Sequence, residues 1–235
     1  MTSVAARHGA QEFVRTIACI RLDNVFNPYA DRCPTHDLED GAQVRRHNLE
    51  LVLGAALSVG VDSIWIARDL GYLGGRRTGL ALTDDVHLGC HSELFGTPPL
   101  SRATTGPPVA ERTAAVVWRS LRSINRPVFL WNIFPLHPHD PGMPMSNRCH
   151  THTERDVCTP LLLWLIQALR PKNIVAIGRD SQVALARLGF NAIAVRHPSY
   201  GGQTQFLDDL ASHYGVSADG RRSRKLTSCS EARGR

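Results

Sequence analysis

The sequence has no long apolar run. Its longest strongly apolar stretch, Leu161 to Ile166, falls far short of the ~20 residues that a membrane helix requires. Met1 to Ala10 carries no apolar segment of the secretory kind. Paired cysteines are missing as well. Cys19, Cys33, Cys90, Cys149, Cys158 and Cys229 are scattered, with no Cys-x-x-Cys among them. A chain of this size does not need disulfide staples, so the reading is of reduced thiols in a cytoplasmic protein with no membrane partner. No segment repeats at a fixed period, which argues against solenoids and propellers. A strong charge excess is also lacking over most of the chain. The formal net charge is +6, but Ser217 to Arg235 holds six basic and two acidic residues and accounts for +4 of it, leaving +2 for everything before. Such a body is no general coat for a polyanion, and any nucleic acid must be held by a local face.

What is present is an ordinary globular composition. The 235 residues are 43% hydrophobic and 20% charged, enough for one domain with a sizeable core. Residues 1–42 read as an irregular N-terminal wrap, with a short helix over 9–20 and a stretch rich in Asn, Pro and Asp over 24–40. Thereafter helical spacing alternates with short apolar runs. Helices are predicted over 43–57, 109–124, 156–169, 181–188 and 203–214. Buried strands are predicted over 63–67, 127–132, 173–178 and 191–196. Continuous apolar strands between helices indicate a parallel sheet covered on both faces. The expected fold is therefore α/β, a three-layer α/β/α sandwich around a four-stranded parallel sheet. It occupies one domain over 1–216, followed by a basic, disordered tail over 217–235.

Three of the predicted strands run into polar loops, which a parallel sheet gathers at its carboxyl edge. The first ends in Ala67-Arg68-Asp69-Leu70-Gly71 and continues through Thr78-Gly79-Leu80-Ala81-Leu82-Thr83. The second ends in Trp131-Asn132-Ile133-Phe134-Pro135, then a Pro-rich loop reaching Asn147-Arg148. The last leads to His197-Pro198-Ser199. Each residue alone has a bland reading as a turn cap or loop side chain. Together they place an Asp, an Asn and a His in one crevice.

This ordered set resembles the uracil-DNA glycosylase superfamily over about Ser63 to Tyr214. Its layout is nearest to the branch that carries a four-iron cluster. The resemblance implies a DNA glycosylase that flips uracil out of DNA and hydrolyses its N-glycosidic bond, starting base excision repair. It implies Asp69 and His197 as catalytic residues. Asp69 orients the attacking water, and His197 donates to uracil O2 as charge builds on the leaving base. It implies Asn132 as the reader of O4 and N3–H, with Arg68, Gly71, Leu82 and Phe134 around the base. Arg76, Arg77 and Arg148 are candidate phosphate contacts. So are Ser199, Tyr200, Gly201, Gly202, Gln203 and Thr204, which precede or open the last helix.

The chain departs from the family pattern at Arg68, where Gln or Glu is usual, and at Leu82, where Phe stacks on the base. It departs again at Gly71, in place of the Tyr that excludes thymine, and at Tyr200 or Gln203, in place of a leucine wedge. Two other functions follow from these departures: a uracil-DNA-binding module with low turnover, or a glycosylase for hypoxanthine or mismatched thymine. Cys158 falls where the last cluster ligand would lie, but the cysteine set is otherwise missing, so neither an iron-sulfur cluster nor any other cofactor or metal is expected. His137, His139, His150 and His152 beside Cys149 match no usual zinc spacing and read as a solvated loop. The tail is a candidate aid to DNA search. A monomer acting on uracil-containing DNA completes the expectation.

Overall fold

A computed structural model describes residues 3–216. The basic segment 217–235 lies outside the described residues. In chain order the elements are α1 (Ser3–Ala18), β1 (Val25–Phe26), α2 (Gly41–Val59), β2 (Ser63–Asp69), α3 (Gly75–Thr78), α4 (Leu88–Phe95) and α5 (Arg112–Ile124). There follow β3 (Val128–Phe134), β4 (His137–Pro138), α6 (His152–Leu169), β5 (Asn173–Ile177), α7 (Arg179–Arg187), β6 (Ile193–Val195) and α8 (Gln203–Tyr214).

The main sheet has four strands in the order β3-β2-β5-β6, all parallel. Its side chains alternate between two cores, as the pleat dictates. Ile64, Ile66, Phe129, Trp131 and Ala176 join the core built with α1, α2, α6 and α7. Trp65, Ala67, Val128, Leu130, Val175 and Ile177 join the core built with α5 and α8. The expected three-layer α/β/α sandwich is therefore the fold.

Helix ends follow local chemistry. Gly60 ends α2 at φ 84°, and Asn125 ends α5 in the left-handed conformation. Thr151 and Glu154 form a reciprocal capping box at the start of α6. Two expectations change. The N-terminal 42 residues are not an irregular wrap throughout. α1 starts at Ser3 and buries Ala6, Ala10, Phe13, Val14 and Ile17 on one face, a helical spacing that also needs the residues before Gly9. Within the stretch read as irregular, β1 pairs antiparallel with β4 and so ties the Pro-rich loop to the N-terminal segment. The loop after β2 also carries the short helix α3, and α4 lies beyond it in a region with no clear period.

Candidate active site

The sheet register sets the site. Asp69 lies two residues beyond Ala67, Asn132 two beyond Leu130, and His197 two beyond Val195. All three of these reference residues face the core under α5 and α8. Ala67 pairs with Asn132, and Asp69 with Phe134, on adjacent parallel strands. Asp69, Asn132 and His197 therefore lie at the carboxyl edge of the sheet, Asp69 and Asn132 on adjacent strands and His197 beyond the end of β6, near enough to Asp69 to feel its charge.

Each has its own electrostatic setting. Asn132 is buried, and its Oδ1 has no hydrogen-bond partner. A buried acceptor left unpaired costs about 1–3 kcal/mol, which an incoming N–H donor would recover. His197 accepts at Nδ1 from the backbone N–H of Ser199, at 3.2 Å, and the Ser199 hydroxyl lies 2.7 Å from the same nitrogen. A backbone N–H only donates, so the hydrogen-bond pattern assigns the ring proton to Nε2. Burial and the neighbouring Arg68 push the His197 imidazole below its ordinary pKa, and the carboxylates of Asp69 and Asp180 offset this only in part. The result is a neutral imidazole with a free Nε2–H donor.

Asp69 receives Arg68 Nε at its Oδ2, at 2.9 Å, and Arg68 reaches on to Asp180 at 3.1 Å. His150 Nδ1 lies 3.4 Å from the same Oδ2. Oδ1 of Asp69 has no partner among the described residues, so one carboxylate oxygen is anchored and the other is open.

The loop after Asp69 is held from below. His137 Nδ1 pairs with the Leu70 carbonyl at 2.8 Å, and Tyr29 donates to the Gly79 carbonyl at 2.6 Å. Burial pushes the His137 imidazole down to about 4, so it is a neutral strut. Leu82 closes this loop with a left-handed backbone, φ 54°, and its side chain is buried. A bulky residue in that region stores strain, a feature that concentrates at functional sites. The Glu111 carboxylate lies against Gly74, where a Cβ would strike it, and 3.0 Å from where a Cβ on Gly71 would stand. Burial, reinforced by Asp84, raises its pKa to about 7. Glu111 thus borders the backbone at Gly71.

The model of the uracil DNA glycosylase superfamily matches residues 94–212. The chain belongs to that superfamily. The matched span includes Asn132 and His197 and begins after Asp69. The crystal structure of wild-type SMUG2 from Pedobacter heparinus is similar at a TM-score of 0.60 and 11% identity, over 88% of this chain and 95% of that one. That likeness is one of fold. No curated protein sequence matches the chain. Superfamily membership supports a DNA glycosylase in general, with DNA as its partner.

Within this superfamily member, several expected contacts are not where the sequence put them. Arg76 and Arg77 are buried and do not face solvent. Arg77 pairs with the fully buried Asp85 at 2.9 Å, and the Arg76 guanidinium lies 4.0 Å from the centre of the Phe26 ring. A phosphate could reach Arg77 only by breaking a buried ion pair, which is strongly unfavourable. Arg148 is likewise internal glue. It forks onto Glu154 at 2.6 and 2.9 Å and donates to the carbonyls of His139, Cys149 and Asn24. Phe134 is fully buried and packs against the His150 ring at 5.4 Å, so it backs the site and presents no face to a base.

The remaining expected contacts lie together. Tyr200 is 97% exposed and left-handed at φ 51°. It borders a cleft of about 760 Å³ that also includes His197, Ser199, Arg179 and Arg196. Arg179 and Arg196 are exposed there, and sequence reasoning passed them over although each adjoins a strand end. Gly201 has φ 77°, and a Cβ on Gly202 would collide with the His197 carbonyl oxygen. Gln203 and Thr204 open α8, which has no side-chain cap, so its first N–H groups are available to an anion. Cys158 is buried in α6, and burial pushes its thiol up to about 12. Cys33 is buried too, while Cys19 and Cys149 are exposed. Among the described residues no group of three or more His, Cys, Asp or Glu could hold a metal ion, and no helix is long and apolar enough to cross a membrane.

Proposed function

We propose that this protein is a monofunctional uracil-DNA glycosylase that initiates base excision repair, acting as a monomer in the cytoplasm and needing no cofactor. The observation that carries the reading is the unpaired buried Oδ1 of Asn132, at the same carboxyl edge of the sheet as a neutral His197 with a free Nε2–H. Uracil flipped from the helix offers N3–H to Asn132 Oδ1 and O4 to its amide donor. Cytosine presents the opposite pattern, an acceptor at N3 and donors at N4, and is rejected because like groups would face each other. As the glycosidic bond breaks, negative charge spreads onto O2, and His197 Nε2–H meets it. A donor aimed at developing charge contributes more in the transition state than in the ground state. The open Oδ1 of Asp69 orients water toward C1′, and its charge offsets the cationic sugar. Arg179, Arg196, Ser199 and the first amides of α8 hold the phosphates, and Tyr200 enters the space that the flipped nucleotide leaves.

Glu111 favours one specific limit on this reading. Its carboxylate stands beside Gly71, and on this reading it limits the room that the missing side chain would otherwise give to larger bases. Purified protein is tested on a panel of duplexes bearing single uracil, thymine mismatch or hypoxanthine, with single-stranded controls and alkaline cleavage of the product. Uracil is expected to be released, and Asp69→Ala or His197→Ala to slow release strongly. Equal rates for both variants and the wild type would overturn the site. Binding of uracil-DNA without release of free uracil would instead indicate a binding module, and preferential release of hypoxanthine or thymine another base specificity.

A further inference from the structure

His150 lies on the Pro-rich loop, outside every motif of the site, yet its ring packs on Phe134 and its side chain is only 11% exposed. Its Nδ1 is buried and makes no hydrogen bond, while the nearest anionic atom, Asp69 Oδ2, is 3.4 Å away. That oxygen is the anchored one, already taken by Arg68. The partly exposed Arg68 side chain also pairs with Asp180, and a guanidinium shared in this way does not fix the carboxylate alone. A second donor from the opposite loop would complete the anchorage. Contacts of this kind are often long in unliganded sites and tighten when substrate binds.

We propose that His150 is a positioning residue. Its Nδ1–H donates to Asp69 Oδ2 and, with Arg68, turns Oδ1 toward the attacking water. The proposal rests on the assignment of Asp69 given above. The neutral Nδ1–H tautomer suffices, and no proton is transferred. Because the contact bridges the end of β2 and the loop after β4, it links the water-orienting group to the fold of that loop, which Arg148 and Glu154 hold in place.

The test is single-turnover uracil release, with duplex affinity measured separately. His150→Leu removes the donor, and misplacing a reacting group by about an ångström can cost up to ~100-fold in rate. We expect His150→Leu to slow release about ten- to a hundredfold with duplex affinity unchanged. We expect His150→Asn, whose amide N–H can occupy the Nδ1 position, to recover most of the rate. In the Asp69→Ala background, His150→Leu should cost nothing further. Wild-type rates in His150→Leu, no recovery in His150→Asn, or multiplied effects in the double variant would each overturn the proposal. Wild-type protein that releases no base from any duplex would overturn the Asp69 assignment instead. The contact itself is then read by imidazole ¹⁵N NMR. A His150 Nδ1–H tautomer that is lost in Asp69→Ala supports it, and a tautomer indifferent to Asp69 overturns it.

Discussion

At the scale of single residues, the site depends on groups left unsatisfied and on backbone that tolerates no side chain. His197 is the clearest case. Ser199 fixes its tautomer, Gly178 and Gly202 pack closely against it, and its remaining N–H points to no protein partner. His197→Ala should lower the rate about 10²–10³-fold, the usual cost of deleting a donor aimed at developing negative charge. Gly202→Ala should do comparable damage without removing any functional group, because its new Cβ would overlap the His197 carbonyl oxygen. The check is that Gly202→Ala loses activity while its melting temperature falls only slightly. If Gly202→Ala is fully active, the loop does not depend on that close approach. The placement of Asp69, Asn132 and His197 at the carboxyl edge was legible in the sequence because each stands at or near the end of an apolar strand of one parallel sheet. Arg76, Arg77 and Arg148 were misread for the opposite reason. Positive charge in a loop suggests phosphate, but the sequence does not show that Asp85, Phe26 and Glu154 close around those side chains. His150 and Glu111 were missed because their contacts run between loops far apart along the chain.

At the scale of elements, the four strands and the five later helices were readable from periodicity, and their ends moved by only a few residues. The N-terminal helix was readable only from Gly9 onward, because the buried face of the first half of α1 rests on Ala6 and Ala10, which give a weak periodic signal. α4 was hidden by its brevity. The element that bears most on function is the turn between β6 and α8. It carries His197, the exposed Tyr200 and the uncapped start of α8, beside Arg179 and Arg196. If Tyr200 fills the gap left by a flipped nucleotide, Tyr200→Ala should slow release from duplex DNA severalfold and leave single-stranded substrate nearly unaffected, since only the duplex has a stack to restore. Equal losses on both substrates would remove the wedge role. Arg196→Ala should weaken duplex binding and reduce the salt slope by about 1, the effect expected for one lost phosphate contact. An unchanged salt slope would take Arg196 off the DNA path.

At the scale of the whole molecule, buried ionisable groups set opposing pH dependences. His91 is fully buried between Trp118 and Phe95, and burial lowers its pKa to about 3. His137 is lowered to about 4. Both stay neutral in the fold and take up a proton on unfolding below pH ~6.5, so the stability they permit is present above that pH and is lost as pH falls from ~6.5 toward their folded values. Glu111 acts in the other direction. Its pKa is raised from 4.5 to about 7, so the folded protein holds a proton that the unfolded chain releases, and stability falls as pH rises through that interval. Glu111→Gln removes this dependence while keeping shape. It should therefore match the wild type near pH 4.5 and exceed it at pH 8 by on the order of 2 kcal/mol. His91→Leu should flatten the loss of stability below pH 6.5, because the leucine has no proton to gain on unfolding. Urea denaturation at pH 5, 6.5 and 8 measures both. A Glu111→Gln advantage that is the same at every pH would mean that the carboxyl titrates normally, and the loop after β2 would then border an ordinary anion rather than a suppressed one.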